Sequence, residues 1–285
     1  MRQLSAAFCV LTLLVTPALA DSRENTLDRI KASGTLVLGH RDSAASFSFK
    51  QKDGTPAGYS VDLCLKVAEG IKRQLKLDSL KVKWVQVTVE DRIAAVESGK
   101  IDLECGVTTV TLSRMEHVDF SNLIFVDGGT MLVKKSSGML RLADVSGKRV
   151  AVQPATTTIE ALRNDLPRRR VNVEIVTVPN LEQGLLLLEQ GKVDALAADR
   201  TVLVGLGASS KSSDQLSLLD EDFSFEPFAL MLRRGDADFR LAVNRELSAL
   251  YRSGEVDQIF YRWFGQLGNP SILTKAMFYL NALRE

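Results

Sequence analysis

Glu97-Ser98-Gly99-Lys100-Ile101-Asp102 and Glu189-Gln190-Gly191-Lys192-Val193-Asp194 are one phrase written twice. Before each runs an apolar helical pattern, Ile93, Ala94 and Val96 in the first case and Leu185 to Leu188 in the second. After each comes a short apolar strand with a polar tip, Thr108-Thr109 or Asp199. A glycine just past a helix supplies the left-handed residue that ends it, because it has no Cβ to clash there. A chain that builds helix, glycine and strand twice in this way is expected to have two similar α/β lobes. Ligands of open α/β sheets bind off the carboxyl ends of the strands, so two such edges facing each other form a cleft.

The patterning on either side extends this plan. Residues 26–32 predict a short helix stopped by Gly34, and 35–40 a strand with Arg41 at its carboxyl end. A hairpin turn is expected at Lys52-Asp53-Gly54-Thr55, and a helix opening at Gly58 with Leu63, Val67 and Ile71 on one face. Strict alternation over 81–87 predicts a strand; a helix over 90–97 and a strand over 101–106 complete the first set. Residues 124–133 form a long β pattern containing Gly128-Gly129. A second set follows: strands at 149–152, 173–178 and 193–197, helices from 158 and over 181–189. The pattern returns as a strand at 228–233 and ends in helices over 239–251, 256–263 and 271–283. Those last helices are too few for a third domain and are expected to return to the first lobe. Two strands then cross between lobes, near 126–132 and 229–232. Two connections side by side form a hinge that permits closure. The expected division is 1–20 as a leader, 21–128 with 231–285 as lobe 1, and 129–230 as lobe 2.

Bulk properties narrow the function. A chain of 285 residues is long for one core. Its 36 basic and 35 acidic residues are mixed, with a formal net charge of +1, and give no nucleic-acid footprint. The one dense basic run, Arg168-Arg169-Arg170, follows a turn-like Asn164-Asp165-Leu166-Pro167 and reads as a solvated loop. Arg2, the apolar run 4–15 and Pro17-Ala18-Leu19-Ala20 form a secretory signal with cleavage expected after Ala20, which implies an exported, periplasmic protein. Export permits a disulfide between Cys64 and Cys105. Spacing cannot pair a helical with a strand cysteine, and two buried thiols are the plainer expectation. With His40 and His117 the only histidines, and no CxxC or HExxH, no metal site is expected. GxSxG, P-loop and GxGxxG motifs are missing, and Gly205-Leu206-Gly207 is too short to signify.

What stands out is the placing of three arginines. Arg41 follows a strand, Arg92 opens a helix after Thr88-Val89-Glu90-Asp91, and Arg114 follows the threonine-rich run Thr108, Thr109, Thr111. All three fall on the rim where the first lobe would meet a ligand. A guanidinium holds a carboxylate with two parallel hydrogen bonds; alone, each would equally serve as a surface ion pair. Thr108 and Thr109 add hydroxyls, although threonine also suits a strand. On the second lobe, Ala155-Thr156-Thr157-Thr158 joins a strand to a helix, whose free amides and dipole favour an anion as well as a plain N-cap. Asp199, at the end of the lobe 2 strand, is placed to accept an ammonium group.

These segments resemble the periplasmic solute-binding proteins for amino acids, the receptors of ABC importers. The resemblance runs from about 26 to 268. It rests on Gly58-Tyr59-Ser60-Val61-Asp62-Leu63, on Gly99 through Thr109 and Arg114 to Phe120-Ser121, on Gly191 through Asp199, and on Gly254 through Trp263-Phe264-Gly265. Val37 to Ser43 and Asp102 to Gly106 look most like the glutamate/aspartate-binding members. The resemblance implies a two-lobed α/β periplasmic binding protein fold with a two-strand hinge. It implies that Arg114 and Thr109 hold the ligand's α-carboxylate, that Thr156 and Thr157 close on it, and that Asp199 takes the α-ammonium. Arg41 and Arg92 would meet a side-chain carboxylate, and Phe47 and Phe49 would line the cleft. It further implies a monomer without cofactor or metal that passes an amino acid to membrane permease subunits. Three positions depart from the glutamate/aspartate pattern: Val107 for Ser, Leu181 for His and Ala155 for Gly. Two other functions stay open. One is a dehydratase of cyclic carboxylic acids on the same scaffold, with Glu104, Asp119 or Glu226 as general acid; the other is a sensing module.

Overall fold

The computed structural model describes residues 25–285, so the expected signal at 1–20 lies outside the described residues. Within them nine strands form one sheet running through both lobes. Its order is Lys81–Gln86, Thr35–His40, Leu103–Glu104, Ser224–Arg233, Val118–Lys134, Ala195–Asp199, Arg149–Val152 and Glu174–Thr177, with Leu216–Leu218 also on the long strand. The three strands at either end are mutually parallel. The middle pair, Val118–Lys134 and Ser224–Arg233, is antiparallel and carries the sheet from one lobe to the other. A separate small sheet of Ser43–Ala44, Ser48–Lys50 and Pro56–Ala57 edges lobe 1.

The repeated phrase folds the same way twice. Gly99 (φ 72°) and Gly191 (φ 71°) both take the left-handed conformation after their helices, Arg92–Glu97 and Leu181–Glu189. The phrase's aspartate then staples two strands. Asp102 accepts from the Val37 amide at 2.8 Å and donates its own amide to the Val37 carbonyl at 2.8 Å. Asp194 does the same with Arg149, at 2.9 and 2.8 Å. Each carboxylate also pairs with an arginine, Arg29 in lobe 1 and Arg149 in lobe 2.

The hinge differs in detail from the expected crossings. The return strand passes between lobes at Ser224 to Phe228, earlier than 229–232. Residues from Ala229 on are already committed to lobe 1, where Met231 and Leu232 pair with Glu104 and Leu103. Gly128 and Gly129 let the crossing close up: a Cβ on Gly129 would lie 2.3 Å from Ser224 Oγ and 2.8 Å from the Phe223 ring.

Lobe 1 is built on aromatics. Phe47, Tyr59, Phe125, Phe228, Phe260 and Phe264 pack in edge-on, tilted and stacked pairs with centroids 5.0–6.2 Å apart. Lobe 2 is aliphatic on both sheet faces, with Val150, Val152 and Leu162 on one and Leu185, Leu188 and Leu203 on the other. Helix Tyr59–Gln74 turns Leu63, Cys64, Val67 and Ile71 inward. Gly58 before it adopts φ 133°, and a Cβ there would strike the Phe47 carbonyl at 2.2 Å, so only glycine fits.

Two expectations are corrected, and one segment without a motif gains a packing role. Cys64 and Cys105 form a disulfide, with Cα atoms 6.1 Å apart, in place of two thiols. Helix packing against the strand end creates that proximity, which spacing does not reveal. Gly205-Leu206-Gly207, passed over above, lies inside a helix, Arg200–Ser209, and a Cβ on Gly205 would stand 3.0 Å from Ala45 Cβ of the opposite lobe. The absent side chain is what lets the lobes approach. The terminal helix, Ile272–Leu280, ends three residues early. Among the described residues no helix is long and apolar enough to cross a membrane.

Candidate functional site

The lobe 1 wall is a set of guanidiniums held from behind. Arg92, the first residue of its helix, is 3% exposed. Its Nε donates to Thr108 Oγ1 at 3.1 Å and its Nη1 to the Val89 carbonyl. Thr108 in turn donates to Glu104 Oε2 at 3.1 Å. Arg114 donates through Nη1 to the Thr109 carbonyl at 2.7 Å. Arg41 is fixed through its backbone, whose amide donates to Ser48 Oγ at 3.0 Å, while its buried Nε has no hydrogen-bond partner.

Three cations so close cost free energy. Burial, reinforced by Arg114 and Arg41 and opposed by Glu104, pushes Arg92 down to about 10. Burial likewise lowers Arg114 against the pull of Glu226 and Asp199. Burial raises the Glu104 carboxyl, and Arg92 and Arg41 pull it back. Three guanidiniums packed side by side repel one another where water is scarce, and an anion placed between them would relieve that repulsion.

The lobe 2 wall is of opposite character. Thr156 caps helix Thr157–Arg168, accepting from the Ile159 amide at 3.3 Å and donating to the Gln153 carbonyl at 2.8 Å. Its hydroxyl is spent locally, so the free first-turn amides are what this end offers a ligand. Ala155 is held at φ 57° ahead of the cap, a conformation costing a non-glycine residue about 1–2 kcal/mol. Asp199 ends its strand with Oδ1 buried and unpartnered. Burial, with Glu226 and Asp127 nearby, holds its carboxyl well above the usual range against Arg114 and Arg92.

Arg41, Arg92, Thr109, Arg114, Thr156, Thr157 and Asp199 line one cavity of about 60 Å³ between the lobes. Thr109, Arg114, Thr156 and Thr157 also face a broad groove of about 1230 Å³ on the hinge side. Arg41 and Asp199 stand at strand ends, Arg92, Thr156 and Thr157 at helix starts, Thr109 in the segment after Leu103–Glu104 and Arg114 in the short helix Leu112–Met115, and only the closed-up sheet brings them together.

The sequence comparisons bear on the same span. Residues 36–266 match the family model for bacterial extracellular solute-binding proteins, family 3. The chain belongs to that family. A relative, the L-glutamate/L-aspartate-binding protein of Pseudomonas aeruginosa, is 37% identical over 90% of this chain and 85% of its own. The glutamate/aspartate import solute-binding protein of Escherichia coli is 31% identical over 90% and 87%. Among solved structures, an ancestral amino-acid-binding protein described as a precursor of cyclohexadienyl dehydratase superposes with a TM-score of 0.72. It is 30% identical and covers 84% of this chain and 99% of its own.

In this solute-binding protein three of the residues expected in the cleft stand elsewhere. Thr108 is fully buried behind Arg92, as its support. Phe47 is fully buried in the aromatic core, centroid 5.0 Å from Phe125, and anchors the loop that carries Arg41. Phe49 packs edge-on against Trp263 at 5.7 Å. Aromatic alternation marks burial as readily as ligand contact, and here burial wins. Sequence reasoning also missed the supports and liners that carry no charge signal: Ser43, Ala44, Gln153 and Val202 in the cavity wall. Glu104 and Glu226 were named only as acids for a rival reaction. Glu104 stands four residues before Thr108 in the strand-tip run, which was the available signal for it, whereas Glu226 meets Thr109 from 117 residues away and left none.

Proposed function

We propose that this solute-binding protein captures an acidic amino acid, L-glutamate or L-aspartate, and hands it to the membrane permease of an ABC importer. One observation carries the reading: the buried guanidiniums of Arg41 and Arg92 and the half-buried one of Arg114, on one wall of a small interlobe cavity, face Asp199 on the other. Such a set fits a ligand with two carboxylates and one ammonium. Arg114, with the free amides at the start of helix Thr157–Arg168, takes the α-carboxylate. Arg41 and Arg92 take the side-chain carboxylate, and Asp199 takes the ammonium. Arg41 Nε and Asp199 Oδ1, buried without partners, mark where those charges arrive. The names of the Pseudomonas and Escherichia relatives support the same substrate class. Val107 and Leu181, both in the cavity wall, remove polar contacts on the side-chain end and leave Arg41 and Arg92 as its main recognition.

The mature protein is a periplasmic monomer without cofactor or metal, released by cleavage near Ala20. The lobes divide near 128/129 on the outward crossing; on the return crossing the boundary expected at 230/231 moves back, since Phe228, Ala229 and Leu230 pack with the lobe 1 clusters. Hinge closure exchanges ligand hydration for fixed donors, and no turnover follows. A thermal-shift screen of the mature protein against the amino acids tests this, since a ligand of the folded state raises Tm with RT ln(1 + [L]/Kd). L-glutamate or L-aspartate is expected to give the largest shift and to be recovered unchanged. A larger shift with L-arginine or L-glutamine, or consumption of the ligand, would overturn the reading.

A further inference from the structure

Glu226 holds none of the roles assigned above, yet three hydroxyls donate to its carboxylate. It is 1% exposed and projects from the return hinge strand, opposite Asp127 in register. Its Oε2 accepts from Thr109 Oγ1 of lobe 1 at 2.5 Å and from Thr157 Oγ1 of lobe 2 at 2.8 Å. Its Oε1 accepts from Ser224 Oγ at 2.6 Å. One oxygen on the hinge thus holds a hydroxyl from each lobe. Thr109 and Thr157 line the ligand cavity, whereas Glu226 lines the hinge-side groove behind them.

The proton count decides what these hydroxyls offer a ligand. A threonine hydroxyl has one proton to give, and an ionised carboxylate only accepts. The contacts to Glu226, at 2.5 and 2.8 Å, are much shorter than the 3.4 Å between the two hydroxyls, so both protons go to the carboxylate and the oxygens are left with lone pairs for the cavity. A carboxylate gains nothing from such a hydroxyl, while an ammonium group can donate to it. Asp199, whose unpartnered oxygen lines the same cavity, becomes an acceptor once a cation beside it offsets the burial that raises its carboxyl. Beside Arg114, then, one corner of the cleft is set for a cation.

We propose that Glu226 is a positioning residue that sets specificity: by taking the protons of Thr109 and Thr157 it makes both hydroxyls acceptors, so that the cleft demands an amino group and reads it with one oxygen from each lobe. This rests on the acidic-amino-acid reading and revises it at one point, since Thr109 and Thr157 serve the ammonium through their hydroxyls instead of the α-carboxylate. A dicarboxylate of the same length lacking the amino group would meet two lone-pair faces and Asp199 with no cation to offset them.

Calorimetry with L-glutamate and with glutarate on the wild type, Glu226→Gln and Thr157→Val tests the proposal. The glutamine amide has its own N–H₂ and accepts fewer hydroxyls, so at least one threonine turns its proton to the cavity. Glu226→Gln is expected to narrow the glutamate-to-glutarate affinity ratio by about tenfold, on the scale of one hydrogen bond to a charged group. Thr157→Val is expected to weaken glutamate more than glutarate. A Glu226→Gln protein that melts like the wild type and keeps the ratio overturns the proposal alone, as does equal loss of both ligands in Thr157→Val. Should Glu226→Gln not fold, Thr157→Val decides. Wild-type protein that binds neither ligand overturns the acidic-amino-acid reading and this inference with it.

Discussion

The two copies of the repeated phrase share a backbone and differ in what they carry. In both, glycine ends a helix and aspartate staples two strands through the same pair of main-chain hydrogen bonds. At the lobe 1 tip the chain continues into Thr108, Thr109 and Arg114; at the lobe 2 tip it ends at Asp199 and opens a new helix. One scaffold thus presents cations from one side of the cleft and an acid with helix amides from the other. The staples also differ: the Asp102 side chain is 5% exposed and the Asp194 side chain 31%. Lobe 1 alone has a disulfide among the described residues. Geometry is what duplication preserved, and charge and burial are what distinguish the lobes.

The largest test of this asymmetry is functional. On the proposed assignment Arg114→Ala removes a half-buried charge that meets the ligand, and it is expected to weaken L-glutamate binding by about 3–5 kcal/mol. Arg149→Ala, which removes the arginine of the lobe 2 staple, should leave affinity nearly unchanged. Calorimetry that finds the two equivalent breaks the division between a binding copy and a structural copy.

Next comes the disulfide. Cys64 and Cys105 are 41 residues apart, and closing such a loop stabilises by about 3–4 kcal/mol in the chain-entropy account. Trp84 and Trp263 both lie in lobe 1, so tryptophan fluorescence during urea unfolding reports that lobe. Dithiothreitol is expected to lower its midpoint. An unmoved midpoint would mean that lobe 1 does not depend on the bond.

The staples themselves give a third contrast. Asp102→Ala leaves the Val37 amide and Arg29 without their partner in a buried setting, and about 2–4 kcal/mol of stability is expected to be lost. Asp194→Ala, in a more exposed setting, should cost about 1 kcal/mol. Equal losses in denaturant titrations would show that exposure does not separate the copies.

A further contrast concerns the hinge between them, where the effect is confined to a narrow pH window. Burial pushes the Asp127 carboxyl up to about 6, although the Thr201 and Gly128 amides donate to it. A folded value above the ordinary one means that the folded state binds this proton more tightly. Its contribution to stability is therefore present at acid pH and is lost as pH rises from about 4 to 6, by about 2–3 kcal/mol across that window. Asp127→Asn should flatten that segment of the stability profile. A variant with the wild-type slope would place the titration elsewhere.

Much of this was legible in the chain. Gly99 and Gly191 announce helix ends because φ near +70° suits a residue without Cβ, and local sterics need no tertiary context. The alternation over 81–87 and the helical stripe of Leu63, Val67 and Ile71 are local periodicities of the same kind. Arg41, Arg92, Arg114 and Asp199 were recognisable as a set because a strand end is a defined place in an α/β fold.

What the sequence by itself determined is the pair of lobes, the hinge and the charged residues at their facing edges, since each follows from short-range backbone preference and spacing. Only the tertiary structure decided which polar groups face the cavity and which stand behind it. Thr108 and Thr109 are neighbours with identical side chains, yet one supports Arg92 from the interior and the other meets Glu226 across the hinge. Phe47 goes to the core, and Cys64 finds Cys105. Those outcomes depend on contacts between residues far apart in the chain, where burial and hydrogen-bond satisfaction are settled together and no local pattern records the result.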